Sequence, residues 1–134
     1  MIMKKIFISY SYTHRKDFEV SHKRLKDFLQ AKFDLEVYAF VFDFNQKVDD
    51  KELMDQALAK IDESDVLMVE LSHKSIGVGI EAGYAKAKEI PILYLHRKGT
   101  EIKQVMNGIA ELVITYEDVD DVIAQIAELD MLRG

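Results

Sequence analysis

Apolar positions along this chain fall into two periods. Short β-branched, aromatic or wholly apolar runs stand at Lys4 to Tyr10 (KKIFISY), Val66 to Leu71 (VLMVEL, broken only by Glu70) and Pro91 to Leu95 (PILYL). Runs of this kind predict strands buried on both faces, as in parallel sheets. Leu35 to Phe42 and Glu111 to Thr115 supply two further strands. Between them the spacing turns helical. Phe18, Leu25, Phe28 and Leu29 mark a helix over Arg15 to Lys32, broken at Asp34. Leu53, Ala57, Leu58 and Ile61 mark another over Asp50 to Glu63, with Asp49 or Asp50 to cap it. Ile80 to Lys88 carries small residues that allow close packing on a sheet, and Pro91 ends it. Glu101 to Met106 predicts one or two helical turns, and Val119, Val122, Ile123 and Ile126 form the stripe of a last helix. Strands alternating with helices at this pitch predict an α/β three-layer sandwich with a five-stranded parallel sheet, one domain over residues 1–134. Asp43 to Asp50 is the longest segment without a pattern and is expected to be a mobile lid.

The stretch that organises the chain is Ser64 to Leu95. It reads as a strand, a loop over Ser72 to Gly79, a helix opening around Glu81, and a second strand. The loop lies at the carboxyl end of its strand, where open α/β sheets bind ligands.

Composition narrows the chemistry. With 134 residues, 49% of them hydrophobic, the chain can build one packed core. It has no cysteine, which excludes disulfides, thiolate catalysis and cysteine-ligated metals. His14, His22, His73 and His96 show no paired metal-ligand spacing, and no cofactor is expected. A net charge of −6 is unlike the basic footprint of a binder of nucleic-acid polymers. No apolar run approaches a membrane span and no signal-peptide pattern opens the chain, so a cytoplasmic location is expected.

Ser75-Ile76-Gly77-Val78-Gly79 leads into a helix. It reads either as a phosphate cradle, with Ser75 adding a hydroxyl donor, or as an ordinary strand-to-helix turn. Glu81 reads either as a first-turn carboxylate that stabilises its helix by ~0.3–1 kcal/mol or as a nucleophile or base at the edge of a crevice. Glycosyl transfer through a covalent sugar–enzyme intermediate requires such a carboxylate at the anomeric carbon. Ser9, Ser11 and Thr13, with Tyr10 and Tyr12, end the first strand beside the Ser75 loop. They offer hydroxyls to a phosphate or sugar, or form a surface turn. Lys103, Gln104 and Asn107 lie on a short amphipathic segment that reads as solvated surface.

The stretch SDVLMVELSHKSIGVGIEAGYAKAKEIPILYL resembles the core signature of the nucleoside 2-deoxyribosyltransferase superfamily, and most of all its 2′-deoxynucleoside 5′-phosphate N-hydrolase branch. The Ser-x-Gly-x-Gly-x-Glu-x-Gly pattern of that branch is matched by Ser75, Gly77, Gly79, Glu81 and Gly83. The resemblance implies a flavodoxin-like or Rossmann-like sheet, with Glu81 attacking C1′ of a deoxyribose and releasing the base to water or to a second base. It implies a 5′-phosphate bound by Ser75 and Gly77 with help from Ser11. It also implies a homodimer or larger homo-oligomer, in which Lys103, Gln104 or Asn107 reaches a neighbour's pocket.

Three positions depart from the pattern. Where the family commonly carries an assisting aspartate, eight residues before Asp65, this chain has Ala57. Asp55 is the nearest acid and the candidate for that role, though a two-residue offset turns it ~200° around a helix. Phe7 and Tyr10 stand where the family usually places a tyrosine and a glycine-bearing loop, and Lys103 falls near the hydroxyl that the hydrolase branch takes from its partner. Loss of these supports leaves a second reading, a nucleotide-binding or signalling module without turnover. The opening FISYS also resembles the start of a TIR domain, some of which cleave NAD with a glutamate on a comparable helix. This chain lacks the tryptophan that often precedes that glutamate.

Overall fold

The computed structural model describes residues 2–133. Its strands are β1 (Lys5–Ser9), β2 (Glu36–Tyr38), β3 (Val66–Glu70), β4 (Ile92–Arg97) and β5 (Leu112–Tyr116). They form one parallel sheet in the order β2-β1-β3-β4-β5. The helices are α1 (Glu19–Phe33, entered through a 3-10 turn at Arg15–Phe18), α2 (Phe40–Asp43), α3 (Asp50–Asp62), α4 (Ile76–Ala87), α5 (Gln104–Ile109) and α6 (Val119–Ala127).

Alternation along the strands builds two cores. Ile6, Ile8, Val66, Met68 and Leu93 face α1 and α6, meeting Leu25, Leu29, Val122 and Ile126. Phe7, Leu67, Val69, Ile92 and Tyr94 face α3, α4 and α5, meeting Ile61, Val78, Ala82, Ala85 and Met106. The expected α/β three-layer arrangement is therefore present. Leu29 and Ile61 are fully buried, and truncating either to alanine would cost about 2–5 kcal/mol. Asp65 ties the start of β1 to the turn before β3, accepting the backbone N–H groups of Lys4 and Lys5 at 2.7 and 3.0 Å.

Besides α5, which runs over Gln104–Ile109 and not over the expected Glu101 to Met106, two elements differ from expectation. The strand expected over Leu35 to Phe42 ends at Tyr38, and the chain then makes a single helical turn, α2. The Asp43 carboxylate holds this turn, accepting the N–H of Ala39 at 2.8 Å. The turn sends its two aromatics to opposite layers, Phe40 to the α4 side and Phe42 to the α1 side. The second difference is that α4 starts at Ile76, four residues before the expected start. Ser75 caps it from an extended conformation, its Oγ accepting the Val78 N–H at 3.3 Å. Gly77 and Gly79 are thus helical, and Glu81 stands in the second turn. That removes the reading of Glu81 as a first-turn dipole partner.

The chain leaves β1 toward β2 on one side, and β3 pairs on the other. The strand order therefore reverses between β1 and β3. In doubly wound sheets the crevice beyond the carboxyl ends at such a point is where ligands bind.

Candidate active site

That crevice holds a cavity of about 620 Å³, within the range of small-ligand sites. One side is polar, built from the end of β1 (Ser9, Ser11, Thr13) and the entry to α4 (Lys74, Ser75, Gly77). The other side comes from α2, the segment after it and α3, and is mostly apolar: Phe40, Val41, Phe44, Leu53, Met54 and Ala57, with Gln46. Phe40 and Phe44 stack on each other, ring centroids 4.5 Å apart.

Glu81 lines this cavity and is largely buried. Its Oε1 accepts a 2.6 Å hydrogen bond from Ser9 Oγ. Burial pushes the carboxyl from its ordinary 4.5 up to about 7, against the opposing pull of the Ser9 hydroxyl. The group is therefore close to half ionised at neutral pH. A carboxylate so placed can serve as nucleophile or base. Glu70, the acid inside β3, faces the opposite layer. It is held there by the Ser72 N–H and Oγ, both at 2.8 Å, and by the Tyr116 hydroxyl.

Beside Glu81 the start of α4 faces the cavity at Ser75 and Gly77. The Ser75 oxygen is occupied as a cap, which leaves its hydroxyl proton free to donate outward. A Cβ added at Gly77 would meet no atom within 4 Å, so the first turn and its unpaired backbone N–H groups border open space. Such a helix start favours an anion. Ser11 is buried on the same side, 3.2 Å from His14 Nδ1, and His14 stacks on His73 with centroids 4.0 Å apart.

The remaining candidates lie elsewhere. Tyr10 borders the cavity, but its hydroxyl is engaged in the opposite layer, 2.8 Å from His22 Nδ1, with its ring against Phe18 and Phe42. Burial pushes the neighbouring His22 down to about 4, so it is neutral at pH 7. Asp55 is outside the cavity on the solvent side of α3, paired with Lys51 at 3.0 Å, whereas Ala57 forms the wall. Gly79 and Asn107 are exposed and off the wall. The residue left out of the sequence reading of Glu81 is Ser9, grouped there with hydroxyls for a phosphate or sugar. Strand parity carries the signal: Ser9 shares a face with Phe7, the α4 side, opposite to Ile8 and Tyr10.

Among the described residues no three His, Asp or Glu side chains converge as metal ligands, and no helix is long and apolar enough to cross a membrane.

No family model matches the chain. A candidate 2′-deoxynucleoside 5′-phosphate N-hydrolase from Syntrophotalea carbinolica is 54% identical over 41 residues, 31% of this chain and 29% of that protein. Another from Thermofilum pendens is 28% identical over 91 residues, 64% of each. Both matches span less than two thirds of the relative's length. Among solved structures, Clostridium botulinum CMP N-glycosidase superposes with a TM-score of 0.71 at 18% identity, covering 92% of this chain and 98% of that one. The 2-deoxyribosyltransferase of Bacillus psychrosaccharolyticus gives 0.71 at 14% identity, covering 96% of both chains. At these identities the structures speak for the shared fold.

Proposed function

We propose that this chain, whose relatives support its likeness to the nucleoside 2-deoxyribosyltransferase superfamily, is an enzyme that cleaves the N-glycosidic bond of a nucleotide or nucleoside. The observation that carries the reading is Glu81, a largely buried carboxyl on the wall of the switch-point cavity, held by Ser9 beside an anion-competent helix start. A 5′-phosphate sits at Ser75 and Gly77, with Ser11 and Lys74 nearby. The base lies against Phe40, Phe44 and Met54, which brings C1′ of the sugar over Glu81. Ionised Glu81 attacks C1′, the base departs, and a glycosyl ester forms on the carboxylate. Water resolves the ester in hydrolysis, and a second base resolves it in transfer.

The test is incubation with deoxynucleoside 5′-monophosphates and detection of free base by chromatography. Glu81→Ala should abolish release. Equal release from wild type and variant would remove Glu81 from the mechanism.

A second copy of the chain covers the outer face of α4. Ile76 and Ile80 are 80% and 49% exposed there, and Gly79 and Gly83 leave the strip flat, with nothing within 4 Å of an added Cβ. Ile76 and Gly77 also line the cavity, so a copy seated on this face would border the site. Sedimentation of wild type and Ile80→Glu tests this, with dissociation to a lighter species expected in the variant.

A further inference from the structure

We infer that the cavity is built for nucleotides whose base is cationic while bonded to the sugar, a pyridinium nucleotide, and that it cleaves these in preference to nucleotides with neutral bases. This rests on the reading of Glu81 as the nucleophile at C1′.

A neutral base leaving C1′ takes negative charge onto its ring. Enzymes relieve that charge with a positioned acid worth about 10²–10⁴ in rate. The ionisable side chains that one chain contributes to this cavity wall, among the described residues, are Glu81, Lys74, Tyr10 and Tyr12. A second copy on α4 would border the anion end at Ile76 and Gly77, not the wall of Phe40 and Phe44. Glu81 cannot supply the proton, because the form that attacks is the ionised one. The Tyr10 hydroxyl is engaged by His22 on the far side of the sheet. Tyr12 is 65% exposed, its ring under the Arg15 guanidinium. Lys74 adjoins Ser75 at the anion end. The wall left for the base presents Phe40, Phe44, Leu53, Met54 and Ala57, and its one polar side chain is the Gln46 amide, which is no acid.

A cationic base removes the requirement. As Glu81 forms its bond to C1′, the C1′–N bond breaks and its electron pair passes to the ring nitrogen, which cancels the positive charge. The base leaves neutral and takes up no proton. Water then displaces Glu81 from C1′ and gives its proton to solvent, so the products are sugar phosphate, neutral base and one proton. The same wall suits such a ring before cleavage, since aromatic rings attract a cation within about 6 Å and the stacked pair Phe40 and Phe44 lines the cavity.

The experiment uses the full chain at pH 8 with four probes: nicotinamide mononucleotide, its dihydro form, CMP and dCMP. The dihydro form has nearly the same shape with a neutral ring, and CMP controls for the sugar. Nicotinamide mononucleotide should release its base about 10²-fold or more faster than each of the other three, the missing acid being worth at least that. Ala57→Asp adds a carboxyl whose burial on that wall raises its pKa. It should raise release from dCMP over wild type at pH 6, where more of that carboxyl holds its proton, and narrow the gap there. Because Ala57 is buried and this variant can fail to fold, the wild-type comparison decides. Release from CMP, dCMP or the dihydro form as fast as from nicotinamide mononucleotide overturns the inference and leaves the N-glycosidase reading standing. Release from none of the four overturns both, and leaves nucleotide binding without turnover.

Discussion

Ser9 Oγ donates a 2.6 Å hydrogen bond to Glu81 Oε1, joining the end of β1 to the second turn of α4. The bond favours the ionised carboxyl, whereas burial favours the neutral one, and burial is the larger effect. Ser9→Ala should therefore send the Glu81 pKa higher still. A hydrogen bond to a charged group is worth about 1.5–3 kcal/mol, and one pKa unit corresponds to about 1.4 kcal/mol. The acidic limb of the pH–rate profile should move alkaline by about one unit, costing about tenfold in rate at pH 6. Ser9→Thr, which keeps the hydroxyl, should restore the midpoint. A lower rate with an unmoved midpoint would mean that Ser9 serves packing alone.

The wild-type rate itself should climb as pH rises through about 7 and level off above it, since only ionised Glu81 attacks. Stability should run the other way. The folded-state pKa is raised, from 4.5 to about 7, so the contribution is whole below 4.5 and is lost as pH rises through 7. Glu81→Gln carries no charge to bury, and at pH 8 it should be more stable than wild type by about 1–3 kcal/mol in urea unfolding. A variant no more stable than wild type at that pH would mean that solvent reaches the carboxyl.

His22 pulls in the opposite direction. Burial lowers its pKa from 6.5 to about 4, so the unfolded chain binds more protons in that window and stability falls as pH drops through it. In the wild type this loss and the gain from protonating Glu81 offset each other between pH 4.5 and 6.5. Glu81→Gln should expose the acid sensitivity that the pair conceals. Replacing the imidazole tests its other task. His22→Phe leaves the buried Tyr10 hydroxyl without a partner, at a cost of about 1–3 kcal/mol. Adding Tyr10→Phe should recover most of that cost, read as the shift in urea midpoint. Additive losses in the double variant would mean that the two side chains act separately.

How much of this was legible follows from what each segment has to satisfy. β1, β3 and β4 are buried on both faces, so their apolar runs announce them. The segment after β2 misleads because Phe40 and Phe42 fit a strand yet serve opposite layers across one helical turn, and Asp43 looks like loop composition until its hydrogen bond to Ala39 is seen. Gly77 and Gly79 conceal the start of α4, since glycine disfavours helix, while the Ser75 cap and the buried stripe Val78, Ala82 and Ala85 outweigh them. Glu81 was readable as a carboxylate near the loop. Its pairing with Ser9 required the parity of β1, and the apolar wall of Phe40, Phe44 and Met54 required α2, which pattern alone does not reveal.

Gly77 separates fold from binding. It is the second residue of α4, its φ is not positive, and a Cβ there meets nothing within 4 Å. Within the fold, Gly77→Ala is thus free of strain. It should raise stability by up to about 0.5–1 kcal/mol, chiefly by limiting the unfolded chain. The same methyl would project into the open space where a phosphate approaches the first-turn amides. Binding of a nucleoside monophosphate should therefore weaken about tenfold, as loss of one charge-assisted contact would give, with the weakening confined to phosphorylated ligands. Calorimetric titration of dCMP and deoxycytidine against both proteins, beside their unfolding curves, reads the two effects separately. Equal affinity for dCMP in wild type and variant would place the phosphate away from this turn, and the orientation of the substrate along the cavity would have to be reversed.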